Sequence, residues 1–396
     1  MADVHDLINI DVEVVSTPDL PEIWKMPLFI GSKKAGFPVD GFGSFGDGTI
    51  KRTLVVSSPS ALAEAGVSTT SELYKAVDMW FMNGGKAATL GFVNTTTVED
   101  QDVEETFLEA LNAIKQQNNK WYGVLPVYAN NETKANINEI YKDVAQFCEV
   151  NSKMGSFVMR DENDFSALVV DDLATQLSAL NYDRCYISGD NKNIDNKLAL
   201  GSTTLAQSLS HQRGSYDLSW KGENWKGVEL GVYTELTRNA MDAKKISYYF
   251  LDENDGRTYL FGKTPSGKSA CVVMDIDYAK IIMQNRFYKF FKTQDKVPNN
   301  RNTQNTIESL IKLSISDLQT AGIFEKCTKQ EIADRFFGGI ASNVKGYDAN
   351  LGVSLVMSDI TKSENTPNGI YTGTMLYVKI NSVIYGLRIN IVGSLN

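Results

Sequence analysis

Short apolar strands and amphipathic helices alternate along the middle of the chain, and this alternation constrains the fold more than any other feature. In each helical stretch apolar side chains recur at a spacing of three or four, and an apolar run of strand length follows. The helical stretches carry Val103, Phe107, Leu108, Leu111 and Ile114, then Ile137, Ile140, Tyr141, Val144 and Cys148, then Asp172–Leu180, and the strands are Trp121–Val127, Ser156–Met159 and Cys185–Ile187. Strands joined by helices lie parallel, with the helices on the faces of the sheet. The sequence therefore predicts an α/β fold, α+β over the whole chain, in which helices flank a mixed sheet.

The same alternation extends upstream. Strands are predicted at Lys51–Val56 and Ala87–Val93. Between them a capping box from Thr69 to Glu72 predicts the start of a helix, and Asn83-Gly84-Gly85 predicts its end. The segment Phe29–Thr49 is rich in glycine and aromatic residues, which predicts a loop or a hairpin.

The pattern changes downstream. Gly214–Met274 is strand-rich, with a predicted hairpin turn at Asp255-Gly256. After Asp275, apolar residues at helical spacing predict two long helices separated by the polar loop Gln294–Asn305. The two helices are marked by Ile276, Ala279, Met283, Phe287 and Phe290, and by Ile307, Leu310, Ile311, Ser314 and Leu318. Strand character returns at Met375–Ile380.

These changes in pattern predict four regions. They are an N-terminal extended arm at 1–25, an α/β core at 26–274 with room for an inserted subdomain around 120–250, a C-terminal assembly domain at 275–375, and a C-terminal strand arm at 376–396.

Both ends of the chain have the alternating pattern of a strand with one apolar face. The apolar positions are Ile8, Ile10, Val12 and Val14 at the start and Val383, Tyr385, Leu387, Ile389 and Ile391 at the end. An unpaired strand tends to aggregate, so each end must pair with something. Two solutions remain open: pairing within its own domain, or addition to the sheet of a neighbouring subunit. Head-to-tail contacts of the second kind build rings or helical filaments.

Composition excludes several classes of function. The chain carries 39 Lys and Arg against 48 Asp and Glu, which disfavours nucleic acid as a partner. Its two histidines are far apart in sequence, so histidine-based metal or hydrolase chemistry is not expected. The four cysteines form no C-x-x-C motif and are expected to be reduced and mostly buried. No secretory signal and no apolar run of about 20 residues is seen, so we expect assembly in a cytosol-like compartment without membrane insertion.

Gly262–Ser269 matches the phosphate-loop pattern letter for letter. A phosphate loop lies between a strand and a helix whose N-terminus faces the phosphate. Arg257–Phe261 supplies the strand, but Ala270–Met274 is apolar and β-branched and predicts a second strand. Thr264–Gly267 is then a hairpin turn. A P-loop NTPase using Gly262–Ser269 stays the enzymatic alternative.

The other motifs favour ordinary structure over chemistry. Gly41–Gly46 matches the dinucleotide fingerprint, but a strand rather than a helix follows it, so a loop is predicted. Asp171-Asp172 and Asp275-Ile-Asp277 are expected to cap helices rather than bind metal. His211 has no nucleophile motif to serve. The sequence therefore predicts no catalytic, cofactor-binding or metal-binding residue.

Several segments resemble, in order and over most of the chain, the contractile-tail sheath proteins of bacteriophages, in particular the compact sheath-like family. They are Ala65–Ala76 through Trp80-Phe81 and Lys86–Val93, Leu236-Thr237 with Ala243–Tyr249, Lys296–Asn302 with the helix from Thr306 and Ala321-Gly322, and Gly373–Val392. The resemblance rests on the order and spacing of these segments, since none is a catalytic signature.

The resemblance implies a mechanical function. Sheath subunits polymerise around a tail tube in a metastable extended state and contract to drive the tube through the host envelope. The implied partners are other copies of the chain, joined through both terminal arms, together with the tube protein and the baseplate and tail terminator proteins. The implied location is the virion tail, assembled in the host cytoplasm. The sheath of a bacteriocin or injection particle stays an alternative, whereas a tail-tube subunit is expected to be smaller and mainly β-structured.

Overall fold

A computed structural model describes residues 24–98, 101–209, 218, 221–252, 256–260, 262–365, 370–371, 374–380 and 393–394. The described residues divide into two compact units: those within Pro21–Met274, here called the core unit, and those from Asp275 onwards, here called the C-terminal unit.

The core unit alternates strands and helices. Its strands are β1 (Pro27–Gly31), β2 (Thr53–Val56), β3 (Ala88–Phe92), β4 (Thr95–Val98), β5 (Gln101–Glu104), β6 (Gly123–Pro126), β7 (Met154–Met159), β8 (Cys185–Gly189), β9 (Ile246–Leu251) and β10 (Arg257–Leu260). Its helices are α1 (Pro59–Glu64), α2 (Glu72–Met82), α3 (Phe107–Gln117), α4 (Lys134–Asn151), α5 (Leu173–Ala179), α6 (Ala199–Leu209) and α7 (Glu235–Ala243), followed by the start of α8 (Ala270–Thr293).

Among the described residues, eight of these strands form one large sheet in the order β10-β9-β8-β7-β6-β1-β3-β2. The inner strands are parallel, while β2 and β10 pair antiparallel at the two edges. The predicted mixed sheet with flanking helices is therefore confirmed. The segment 120–250, where the sequence left room for an inserted subdomain, contributes β6 to β9 to this sheet.

The central strand β1 was missed by the sequence prediction, which assigned the segment from Phe29 onwards to a loop or hairpin. All five residues of Pro27–Gly31 are buried, and β1 pairs with β3 on one side and β6 on the other. A strand covered on both faces has no polar alternation to reveal it. Gly31 is required here, because a side chain would meet the Val127 carbonyl oxygen at 2.5 Å and the Phe37 ring at 2.7 Å.

Helices cover both faces of the sheet. Tyr141 of α4 stacks on Phe157 of β7 with ring centroids 4.6 Å apart, and Gly201 of α6 lies against Val158. Successive strand residues point to opposite faces, so α4 and α6 lie on opposite faces. Helix α6 was not predicted. Ten of its eleven residues are buried, so it has no polar face to produce a periodic pattern.

The helix ends lie at or near the predicted capping residues, and one N-cap lies two residues after its predicted position. Ser71, not Thr69, caps α2, and its Oγ accepts a hydrogen bond from the Tyr74 N–H at 3.1 Å. The predicted stop after Met82 is confirmed, since Asn83 is the C-cap. The predicted cap at Asp172 is also confirmed, because its carboxylate accepts from the Thr175 N–H at 3.0 Å.

The region 214–274 is less strand-rich than predicted, because it contains α7 and the first turn of α8. The predicted β9–β10 hairpin is confirmed, with the Asp252 N–H donating to the Gly256 carbonyl oxygen at 2.9 Å. Asp255 lies outside the described residues.

Helix α8 starts at Ala270, so the strand predicted at Ala270–Met274 is wrong. Val272 and Val273 favour strands, yet both are buried inside this helix, since tertiary packing outweighs a propensity difference of a few tenths of a kcal/mol. Asp275 and Asp277 consequently lie within the helix and do not cap it.

The C-terminal unit contains the two predicted long helices and several short strands. They are the rest of α8, α9 (Arg301–Thr320), β11 (Phe324–Glu325), α10 (Lys329–Phe336), β12 (Tyr347–Asp348), β13 (Val353–Met357), β14 (Ile370–Tyr371), β15 (Thr374–Tyr377), β16 (Lys379–Ile380) and β17 (Gly393–Ser394). Asn300 caps α9, so the predicted loop Gln294–Asn305 ends five residues early. Arg286 joins the two helices through Ser314 Oγ at 3.0 Å and the Asp317 carboxylate at 2.6 Å.

Candidate assembly surfaces

The nine arm residues predicted to pair between subunits all lie outside the described residues. They are Ile8, Ile10, Val12, Val14, Val383, Tyr385, Leu387, Ile389 and Ile391. Beyond them, β17 pairs antiparallel with β14 of the same chain, with Ile370 opposite Ser394 and Tyr371 opposite Gly393. Pairing of the nine residues between subunits stays a prediction.

The start of the predicted C-terminal arm belongs to the packed C-terminal unit. Leu376, Val378 and Ile380 are buried, and β16 pairs antiparallel with β11. The segment available as an arm is therefore shorter than 376–396 at its N-terminal end.

The sheet of β12, β13 and β15 offers an edge to which a further strand could add. β15 pairs antiparallel with β13, with Ser354 opposite Tyr377 and Met357 opposite Thr374. Within the described residues no strand occupies the other edge of β15. Its side chains alternate: Thr374 and Leu376 are buried, whereas Met375 is exposed. An edge of this kind can accept an extended segment through main-chain hydrogen bonds.

The edge of the large sheet at β10 is occupied instead. The Tyr259 N–H donates to the Lys221 carbonyl oxygen at 2.5 Å, and the Arg257 N–H donates to a Glu223 carboxylate oxygen at 3.1 Å. Segment 221–223 thus uses the backbone groups that an incoming strand would need.

The two units differ in charge. Residues 21–274 carry 25 Lys and Arg against 32 Asp and Glu, whereas 275–396 carry 14 against 11. One chain therefore combines an acidic region with a weakly basic one, which permits electrostatic attraction between copies arranged head to tail.

The usual ligand position of a parallel α/β sheet is filled. Chain order reverses at β1, between β3 and β6, and ligands bind in such folds beyond the carboxyl ends of the strands at this point. Here the buried Phe37 ring covers the end of β1, and Ser32 Oγ donates to Glu104 at 2.7 Å. No crevice for a substrate remains at these residues.

A small cavity elsewhere in the core unit has a volume of about 10 Å³, room for one water molecule at most. Its lining includes Tyr186, Ser208 and Cys271. In the part of the chain that the structure describes, no group of three or more His, Cys, Asp or Glu is arranged to hold a metal ion.

Three of the four cysteines are buried in the described part of the chain. Cys148, Cys185 and Cys327 are buried free thiols, and burial raises the pKa of each of them, which keeps the unreactive thiol form. No described helix has the length and apolar character needed to cross a bilayer.

The phosphate-loop match has the strand-then-helix order of a nucleotide site after all, because α8 begins directly after Ser269. The loop nevertheless closes on itself. The Thr264 N–H donates to the Lys268 carbonyl oxygen at 2.9 Å, and the Gly267 N–H donates to the Thr264 carbonyl oxygen at 2.8 Å. Lys263 and Ser269 form an antiparallel bridge, so the predicted hairpin turn is confirmed.

The remaining loop groups bind protein as well. The Ser266 N–H donates to the Tyr182 carbonyl oxygen at 3.1 Å, and the Ala270 N–H donates to the Gly262 carbonyl oxygen at 2.9 Å. Lys268 forms an ion pair with Asp183, which also accepts from Ser266 Oγ. Three amides within the loop, those of Thr264, Ser266 and Gly267, and the Lys268 ammonium are therefore engaged, and the NTPase alternative finds no support.

We expect the protein to bind no nucleotide and Lys268→Ala to leave assembly unchanged. The Lys268–Asp183 pair is partly exposed, and such pairs contribute about 0–1 kcal/mol. Isothermal titration with Mg-ATP and sedimentation of the assembled protein would check this. Stoichiometric, magnesium-dependent ATP binding that the variant loses would contradict the assignment.

No protein-family model matches the sequence, and no curated protein is significantly similar to it. Solved structures match over nearly the whole chain. The helical sheath of the anti-feeding prophage in its contracted state has a TM-score of 0.56 at 11% identity, over 96% of each chain. A sheath tail protein from Desulfitobacterium hafniense has a TM-score of 0.54 at 8% identity, over 98% of this chain and 100% of that one.

The sheath of the extracellular contractile injection system PVC, also contracted, has a TM-score of 0.56 at 13% identity, over 96% of this chain and 95% of that one. The chain therefore has the fold of contractile sheath proteins in both of its units.

Proposed function

We propose that the chain is the structural subunit of a contractile sheath, which polymerises around a tube and shortens to drive the tube through a host envelope. The observation that carries this proposal is the similarity to sheath structures over 93–98% of the chain. A match of this extent includes the C-terminal unit as well as the α/β core, which a generic α/β similarity would not do.

Two features of the core unit agree with a structural role without catalysis. The strand-end crevice is filled by Phe37, and the phosphate-loop match is closed by its own hydrogen bonds. The energy for contraction is then stored when the sheath assembles, since rigid subunits can exchange one set of contacts for another of lower energy.

Connection between subunits is assigned to the terminal arms. A strand that adds to a neighbour's sheet stays bonded through its main chain while the rigid units rotate, because the linking residues absorb the motion. The outer edge of β15 is the acceptor that we assign, since it belongs to a small sheet that a further strand would extend. The further partners are a tube protein and the baseplate and terminator proteins at the two ends of the sheath.

The proposal is tested by assembly of the purified protein. We expect hollow tubes of uniform diameter by negative-stain electron microscopy, and decoration of the tube when the tube protein is present. A protein that stays monomeric at high concentration, with and without the tube protein, would contradict the proposal.

A second candidate is the sheath of an injection particle or bacteriocin rather than of a phage. It is favoured by the similarity to the anti-feeding prophage and to the PVC injection system. Electron microscopy of particles from the producing cells separates the two: a phage sheath is joined to a DNA-filled capsid, whereas an injection particle has none.

A further inference from the structure

Five large aliphatic side chains are exposed on three neighbouring segments of the core unit. These segments follow β7, follow β8, and run beside β9 into the first turn of helix α7. We call the five side chains the aliphatic loop surface: Leu168 (92% exposed), Val170 (73%), Ile194 (71%), Val232 (71%) and Leu236 (79%). Exposed aliphatic residues are ordinary when scattered singly, but several on adjoining segments indicate an interaction site.

The three segments are bonded to one another by the side chain of Asn191. Its Nδ2 donates to Glu162 Oε1 at 2.9 Å and to the Val232 carbonyl oxygen at 3.0 Å. Its Oδ1 accepts from the Val232 N–H at 3.3 Å. The single side chain of Asn191, in the segment after β8, therefore holds the segment that follows β7 and the segment that runs beside β9.

Further hydrogen bonds, made by Asn193 and Lys244, hold the same segments. Asn193 is buried, its Oδ1 accepts from the Glu229 N–H at 2.8 Å, and its carbonyl oxygen accepts from Arg160 at 2.7 Å. Lys244 donates to the Val169 carbonyl oxygen at 2.7 Å, between two of the exposed side chains. These loops are therefore ordered before any partner binds, which lowers the entropic cost of association.

The surroundings of the aliphatic loop surface are acidic. Segments 160–172, 190–198 and 229–238 contain nine Asp and Glu against four Lys and Arg. Lys134 and Lys244 neutralise part of this charge through Asp161, Asp164 and Asp172. An acidic excess remains, and the region of this chain with the complementary excess is 275–396.

The size of the surface also bears on the partner. A stable pairwise interface buries about 800 Å² on each side, and five aliphatic side chains supply only part of that. Contacts that are too small alone become effective when many act together along a polymer.

We infer that the aliphatic loop surface is a contact between sheath subunits, occupied by the C-terminal unit of a second copy of this chain. The inference rests on the proposed function and assigns one of its subunit contacts. The contact is heterologous, since the acidic core surface of one copy meets the basic unit of another, and such contacts propagate as helical polymers.

The test compares two double variants of the full chain. Leu168→Ser with Leu236→Ser removes two side chains of the surface, and we expect the sedimentable polymer to fall at least tenfold. Val150→Ser with Leu180→Ser removes two comparably exposed side chains elsewhere on the core unit and is expected to assemble like the wild type. Equal assembly of both double variants and the wild type would overturn the inference and leave the proposed function intact.

Photocrosslinking gives a second readout that does not depend on the variants' folding. Benzoylphenylalanine at position 236, in a mixture of isotope-labelled and unlabelled subunits, is expected to crosslink to residues 275–396 of another copy. The same group at position 150 serves as the control. Absence of crosslinks between copies at position 236 in assembled tubes would overturn the inference. If the wild-type protein forms no tubes, the proposed function is wrong. The crosslink at position 236 is then measured in concentrated protein without tubes, and its absence there contradicts the inference as well.

Discussion

Ile10→Pro and Ile389→Pro are each expected to abolish tube formation and leave monomers that are folded. Proline removes a backbone donor and interrupts a β ladder, so either change should prevent an arm from adding to a neighbour's sheet. The measurement is the fraction of protein that sediments as polymer, with negative-stain microscopy of the pellet. We expect that fraction to fall at least tenfold in each variant.

The matched controls place proline outside the alternating patterns. Ala2→Pro and Asn396→Pro should assemble normally, because neither position belongs to an apolar strand face. Removal of 1–15, or of everything from Val383, extends the test, although the second deletion also removes the β14–β17 pairing. Normal tubes from both proline variants would show that the arms do not connect the subunits.

Lys244→Met is expected to lower the free energy of unfolding by about 3–5 kcal/mol, the range for breaking a buried ion pair from one side. Lys244 is 9% exposed and Asp172 is fully buried, with the ammonium 2.8 Å from the carboxylate. The same ammonium donates to the carbonyl oxygens of Asp164 and Val169, both at 2.7 Å. The substitution leaves a buried carboxylate and two carbonyl oxygens without this donor.

Urea unfolding followed by circular dichroism provides the measurement, and Lys142→Met is the control. Lys142 pairs with Glu139 on the surface of α4, and exposed pairs contribute about 0–1 kcal/mol. A loss of similar size in the two variants would contradict the role assigned to Lys244. Because Lys244 also holds the loop that carries Leu168 and Val170, a folded Lys244→Met protein should assemble less well than the control.

Where the sequence prediction succeeded, it started from helices with one apolar face. Helices α3 and α4 have this pattern. Strands β6 to β8 are buried at every residue, and they were placed to within a few residues because they alternate with such helices. The sheath resemblance rested on the order of such elements, and the structural similarity over nearly the whole chain agrees with it.

Where it failed, burial on all sides removed the signal. Strand β1 and helix α6 are covered all round, so neither shows a contrast between polar and apolar faces. The start of α8 was misassigned for a related reason, since Val272 and Val273 favour strands locally but pack as parts of a helix. The aliphatic loop surface was missed because Leu168-Val169-Val170 in an acidic loop has no periodicity to mark it.

The sequence by itself determined the fold class, the two long C-terminal helices and the alternating pattern of the terminal arms, because periodicity and capping are local properties. Only the tertiary structure decided that Phe37 fills the strand-end crevice, that Asp183 binds the lysine of the phosphate-loop match, and that among the described residues no strand lies on the outer edge of β15. Each of these depends on contacts between residues far apart in the chain, which a local pattern does not encode.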